Sequence, residues 1–216
     1  MRTLHKITAI SLVAVLIALP ATADEEREIA GSYEVESLEG VHLDFAVAEL
    51  RIEGSDGNRI EVELVADCRM LASDCEETLD ALFLDDRRHG KSFYLELDGF
   101  PRWGKGKIDL EGTIRVPRGL DVDVELGVGE LGIEGLSKDL HVELGVGEVN
   151  LWLTKSALRS VDLDAGVGEV ELHGTDADQR ARRSMLVGAE IHWAEGPGKS
   201  RVFVEVGVGE VTAWLD

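Results

Sequence analysis

The phrase Gly-Val-Gly-Glu occurs four times, at Gly127 to Glu130, Gly145 to Glu148, Gly166 to Glu169 and Gly207 to Glu210. Such a recurrence marks units that cannot bury an apolar face alone and must stack on their neighbours. The starts lie 18, 21 and 41 residues apart, and the last interval is close to two repeats. Val187-Gly188-Ala189-Glu190 falls where a degenerate copy belongs, giving starts at 127, 145, 166, 187 and 207. Near the N-terminus, Ala46-Val47-Ala48-Glu49 has the form of an outlying copy.

Around each copy the apolar residues alternate and then change phase. Leu140, Val142, Leu144 and Val146 share one parity, whereas Val149, Leu151 and Leu153 share the other. Val202, Val204, Val206 and Val208 give way in the same manner to Val211, Ala213 and Leu215, and Val41, Leu43, Phe45 and Val47 to Leu50 and Ile52. A period of two means strand. The phase slips at the second Gly and the Glu, where glycine can take φ > 0 and a corner can reset the inward face. Each unit is therefore predicted to be strand, corner, strand, closed by a turn such as Gly135 to Lys138 or Gly174 to Asp178.

The predicted fold is all-β: a right-handed β-solenoid, β-helix-like stack of about five coils of roughly 20 residues. The rival is an antiparallel sandwich with the phrases at hairpins. Between Asn58 and Pro117 the repeat is lost. Strands are still indicated by Ile60, Val62 and Leu64, by Phe93, Leu95 and Leu97, and by Ile108, Leu110, Ile114 and Val116. Leu79, Leu82 and Phe83 predict one short helix within Glu76 to Asp86, and Arg102 to Lys107, with Trp103, reads as a loop. Residues 24–216 are taken as a single domain, irregular over 24–119 and coiled over 120–216.

Arg2 and Lys6, the apolar run Ile7 to Leu19 and the small residues Ala21-Thr22-Ala23 have the form of a secretory signal peptide over residues 1–23, cleaved before Asp24. The chain is expected to be exported, to the periplasm or the cell surface, and not to span a membrane after cleavage. Cys68 and Cys75 are its only cysteines, and an oxidising compartment favours joining them as a local staple. With 22 basic against 43 acidic side chains, the 216-residue chain carries a formal charge of −21, which excludes a basic nucleic-acid footprint.

Enzyme signatures are missing from the sequence. His42, His89, His141, His173 and His192 show no metal-ligand spacing, the glycine phrase is followed by a strand and not a helix, and there is no nucleophile elbow. No cofactor is implied.

Val-Pro-Arg-Gly-Leu at Val116 to Leu120, running into Gly-x-Gly-acidic corners of about 20-residue period, resembles the bacterial "putative adhesin" or toast-rack family. The resemblance is closest over Lys107 to Leu172 and implies an envelope β-solenoid protein whose molecular role is mostly unassigned. This chain departs from that pattern with Val where Ser is common, Glu where Asp is common, and the Cys68 to Cys75 loop.

Stacking would align Glu130, Glu148, Glu169, Glu190 and Glu210 in one row and Glu125, Glu143, Asp164 and Glu205 in another. At about 4.8 Å in water, neighbouring carboxylates repel by about 0.9 kcal/mol, which a solvated face tolerates and a cation such as calcium relieves. Calcium β-roll nonapeptides are missing, so Glu130, Glu148, Glu169 and Glu210 are weak metal candidates. Seven residues beyond the first Gly of three copies stand Trp152, His173 and Trp214, predicted to form an outward aromatic strip. Exposed aromatics concentrate binding energy, so the strip is the candidate site for a glycan or envelope-protein partner; the alternative is that an N-terminal strand, a terminal cap or a second subunit covers it. Trp193 turns inward in the 21-residue alignment and joins the strip only if the fourth copy is shifted by one. Arg180, Arg182 and Arg183 reverse the local charge, and are expected either to neutralise acidic rows or to contact an anionic envelope component. The final strand, Val211 to Leu215, is left as an open end that invites self-association. The expected function is a non-enzymatic binding or scaffolding module of the cell envelope, and the alternative is a polysaccharide-active enzyme using acidic residues of the solenoid face.

Overall fold

The two-phase alternation is realised as single long strands that bend at the glycine phrase. The computed structural model describes residues 25–68, 75–100, 108–175, 178–182 and 188–216. Its elements are β1 (Glu25–Glu34), β2 (Gly40–Ser55), β3 (Arg59–Cys68), α1 (Cys75–Ala81), β4 (Phe83–His89), β5 (Ser92–Asp98) and β6 (Ile108–Pro117). They are followed by β7 (Asp121–Glu134), β8 (Leu140–Leu153), a 3-10 turn (Lys155–Ala157), β9 (Leu158–His173), β10 (Gln179–Arg182), β11 (Ala189–Trp193) and β12 (Ser200–Leu215). The leader, its cleavage site, the 101–107 loop, Arg183, Val187 and the residues between the two cysteines lie outside the described residues.

Five bent strands stack in parallel and in register, in the order β2, β7, β8, β12, β9. Val128 lies opposite Val47 and Val146, and Val208 opposite Val146 and Val167, so the phrases form one column. Only the residues between Glu134 and Leu140 return the chain from the end of β7 to the start of β8, whose strands run the same way. A straight 14-residue strand would span about 46 Å, too far for so short a return, so each rung has to fold back on itself at its corner.

The folding back puts apolar residues of both halves into one core. Val122, Val124 and Leu126 from the first half of β7 and Leu131 and Ile133 from its second half are all buried, and each of the other rungs repeats the pattern. At both ends of the stack the sheet divides. The first half of β2 pairs with β5, which carries β4, and its second half pairs with β6, which carries β3 and β1. At the far end β11 pairs with the first half of β9 and β10 with the second. Tyr33 of β1 meets Phe93 of β5 across the core, ring centroids 4.9 Å apart. The Cys68–Cys75 disulfide ties the end of β3 to α1.

All-β describes this molecule, but the sheet is mixed and open, and several finer expectations are corrected. The rungs do not follow chain order: β12, the last strand, lies between β8 and β9, with both of its edges paired, so the C-terminal strand is no open end. Glu190 belongs to no rung of its own, because β11 runs antiparallel to β9 and sets Glu190 against Asp164. The outlying copy at Ala46 to Glu49 is a true rung. The central valine of each phrase points outward, so the first inward run ends at residues such as Leu126 and Leu144, two residues earlier than the alternation suggests. The helix ends at Ala81, and Phe83 begins β4 with its side chain exposed.

The second glycine of the phrase is demanded by sterics. Gly129, Gly147, Gly168 and Gly209 have φ between +145° and +151°. A Cβ on any of them would fall inside the carbonyl oxygen of the preceding rung: Ala48 for Gly129, Gly129 for Gly147, Gly147 for Gly209 and Gly209 for Gly168. Gly147→Ala should therefore cost at least about 2 kcal/mol, a drop of about 4–8 °C in Tm, from backbone strain and forced separation of the rungs. Gly119→Ala, where an added Cβ meets nothing within 4 Å, should leave the thermal unfolding midpoint unchanged.

Candidate functional site

In-register parallel pairing sets equivalent side chains of neighbouring rungs beside each other, so a residue type repeated in sequence becomes a ladder in space. Seven residues past the first Gly, this places Trp214 between Trp152 and His173. The two indoles stack with centroids 5.2 Å apart and planes 12° apart, and His173 stacks on the other face of Trp214 at 5.9 Å and 16°. The strip expected from sequence is thus a contiguous ladder ordered Trp152, Trp214, His173. Trp152 is 42% exposed, and Gly132 on the adjoining rung leaves its ring room, with Cζ3 3.7 Å from where a Cβ would stand. Trp193 is buried. The end of β12 is fixed by Asp216 N–H donating to the Leu153 carbonyl at 3.1 Å and Lys155 N–H donating to the Asp216 carbonyl at 2.9 Å.

His173 closes the ladder as an ion-paired ring. Its Nε2 lies 3.0 Å from Glu171 Oε2 and its Nδ1 3.3 Å from Asp178 Oδ2, while Asp178 Oδ1 accepts from the Gly174 N–H at 3.1 Å. The hydrogen bond to Asp178, then that to Glu171, raise the imidazole pKa against the opposing effect of burial, and the His173 hydrogen bond lowers that of Asp178.

Beside the aromatic ladder runs a row of glutamates from Glu111 of β6 through Glu49, Glu130, Glu148 and Glu210 to Glu169. Arg180 of β10 ends it, pairing with Glu169 and, at 2.8 Å, with Glu171 Oε1. Between the row and the ladder lies an open groove of about 480 Å³, lined by Glu49, Arg51, Glu111, Glu130, Asn150 and Trp152 over Gly112 and Gly132. The second acidic row is longer than expected: Glu96, Asp44, Glu125, Glu143, Glu205, Asp164 and Glu190 on the other half of the rungs. Among the described residues, no three His, Cys, Asp or Glu side chains converge so as to hold a metal ion. The carboxylates of each row project side by side.

A further row was legible and missed. Four residues before each phrase stand His42, Asp123, His141, Asp162 and Phe203, which the register brings together as Tyr94, His42, Asp123, His141, Phe203, Asp162 and His192. His42 stacks on Tyr94 with centroids 4.4 Å apart, and Asp123 Oδ2 lies 3.4 Å from His42 Nδ1 and 3.7 Å from His141 Nδ1. His141 meets the Phe203 ring at 5.2 Å, and His192 pairs with Asp162. This row floors an open groove of about 640 Å³, rimmed by the Arg201–Asp139 and Lys91–Glu39 pairs. Its signal is a constant offset from the phrase, hidden because the residue type changes along the row.

No family model and no curated protein matches the sequence. The fold is similar to the solved structure of a "putative cell adhesion protein" from Clostridium sporogenes, 17% identical, the match covering 89% of this chain and 100% of that chain at a TM-score of 0.54. A "putative adhesin" from Bacteroides fragilis is 12% identical, with 87% of this chain and 97% of that chain covered at a TM-score of 0.33. The first likeness is one of fold. Among the described residues, no helix is long and apolar enough to cross a membrane.

The His173–Asp178 pair has a defined pH window. A raised imidazole pKa contributes stability that is complete below the unfolded value and lost as pH rises through the folded one. A lowered carboxyl pKa contributes stability present above its unfolded value and lost as pH falls through the folded one. Both groups are charged between these limits. An NMR titration should place the His173 midpoint above the usual imidazole value of about 6.5, and Asp178→Asn should move it back down.

Proposed function

We propose that the chain is a non-enzymatic binding module of an exported cell-envelope protein and that the Trp152, Trp214, His173 ladder, with the groove beside it, is its docking site. The observation that carries this is the ladder itself: three stacked rings, one of the indoles 42% exposed, held by strands whose backbones are paired on both sides. Rigid aromatic side chains give large contact area at little entropic cost. Both faces of Trp214 are occupied by its neighbours, so a partner meets ring edges and the outer side of Trp152.

The stack is assigned to the right-handed β-solenoid class, supported by parallel in-register rungs and by the usual hand of parallel β connections. Export is supported by the leader-like residues 1–23 and by the disulfide. The non-enzymatic assignment is supported by the exposure of Glu49, Glu130, Glu148 and Glu210, because a catalytic acid needs burial to hold its proton. The partner is an envelope protein or a glycan.

Binding of the purified protein to a glycan array and to a panel of envelope proteins tests the proposal. Trp152→Ala/Trp214→Ala should abolish capture while the far-UV circular dichroism stays native in its β content. Capture unchanged by the double substitution removes the ladder as the site, and turnover of a glycan by the wild-type protein overturns the non-enzymatic assignment.

A further inference from the structure

The centre of each glycine phrase forms a surface distinct from the aromatic ladder. Val47, Val128, Val146, Val208 and Val167 are aligned by the register and are 42% to 54% exposed. They form a column of five β-branched side chains along the outer edge of the bend. The residues on either side of each valine are glycines, or alanines in β2, so nothing screens the column laterally. The stacking explains the glycines through the neighbouring carbonyls, but it does not explain the valines. An exposed position in a strand accepts threonine as readily, and yet all five rungs carry an apolar residue there.

Charge brackets this ridge on both sides. Three residues before each valine lie Asp44, Glu125, Glu143, Glu205 and Asp164, and two residues after each lie Glu49, Glu130, Glu148, Glu210 and Glu169. Among the described residues, Glu143 pairs with His141 and Glu169 with Arg180, and the other eight have no ion-pair partner. A second copy laid ridge to ridge would oppose acid to acid, and an anionic bilayer or a nucleic acid would be repelled.

We propose that the valine ridge and its two acidic rows bind a cationic amphipathic helix of a partner protein. The apolar stripe of such a helix covers the valines while lysines or arginines on its flanks reach the carboxylates. The dimensions agree: four intervals of about 4.8 Å give a ridge of about 19 Å, the length of about 13 helical residues, and the turns of a helix repeat at about 5.4 Å. Same-side residues of an extended strand recur at about 6.8 Å and fall out of step with the valines. Acidic rows on both sides exclude helices with acidic flanks and so supply specificity as well as attraction.

The probe is a fluorescein-labelled 14-residue Leu/Lys amphipathic helical peptide, titrated into the full chain and followed by fluorescence anisotropy. A scrambled peptide of the same composition and a Leu/Glu counterpart are the controls. The Leu/Lys peptide should bind at least about tenfold more tightly than the scrambled one, with affinity falling as salt rises, and the Leu/Glu peptide should not bind. Val128→Thr/Val146→Thr/Val208→Thr keeps the β-branch and should weaken binding at least about tenfold with an unchanged Tm. Should that variant fail to fold, Glu130→Gln/Glu148→Gln/Glu210→Gln should lower affinity and flatten the salt dependence. Trp152→Ala/Trp214→Ala should bind the peptide as the wild-type chain does. Equal affinity for the scrambled peptide, or unchanged affinity in a folded valine or glutamate variant, overturns the proposal.

Discussion

The structure depends on one steric fact: where the rungs bend, the carbonyl oxygen of one rung occupies the space that a Cβ on the next would need. Glycine at that position lets the backbones approach, and its φ near +145° turns the strand while the rungs keep one register on both sides of the bend. Ala48 in β2 is the exception that explains the rule. It does not share the positive φ of its four glycine counterparts, and its methyl group is buried in the core. With ordinary strand φ at that position, the first rung accommodates an alanine where the other four carry glycine.

Locked register has electrostatic consequences. Parallel pairing sets like against like, which favours rings and penalises carboxylates. Rings gain, as in the Trp152, Trp214, His173 stack. Arginines offset some of the acidic charge: Arg180 pairs with Glu169 at the end of one row and with Glu171, and outside the two rows Arg51 pairs with Glu134 and Arg115 with Glu53 and Glu63. The centre of the stack is left unneutralised, where repulsion of about 0.9 kcal/mol per neighbouring pair is small against the apolar burial beneath it. Stability and surface pattern are thereby separated. Inward residues hold the rungs together, while the outward rows are repeated five times with little bearing on the core.

Most of the register was legible because a fixed phrase anchors it. The alternation Leu140, Val142, Leu144 and then Val149, Leu151, Leu153 specifies which side chains face inward, and counting seven past the first Gly finds the aromatic ladder. The order of the rungs was not legible. Phrases that are interchangeable in register are interchangeable in position, so nothing local distinguishes β12 next to β8 from β12 beyond β9. The degenerate phrase at Val187 misled for the same reason: its spacing suits a rung, but Ala189 to Trp193 pair antiparallel with β9. The His42, Asp123, His141 row escaped because its residues share an offset and not a chemistry. The outward valine escaped because it continues the parity of the strand before it, and only the bend reveals which way it points.

Engineered cysteines at the exposed valines test the stacking order most directly. Adjacent parallel rungs hold equivalent Cα atoms about 4.8 Å apart, within disulfide range, whereas rungs one further apart are separated by about 9.6 Å, beyond it. Val146→Cys/Val208→Cys should cross-link under mild oxidation, shown by mass spectrometry of the proteolysed chain, and Val146→Cys/Val167→Cys should not. A bridge between positions 146 and 167, with none between 146 and 208, would contradict the insertion of the last strand between β8 and β9 and with it the order of every ladder built on that stack.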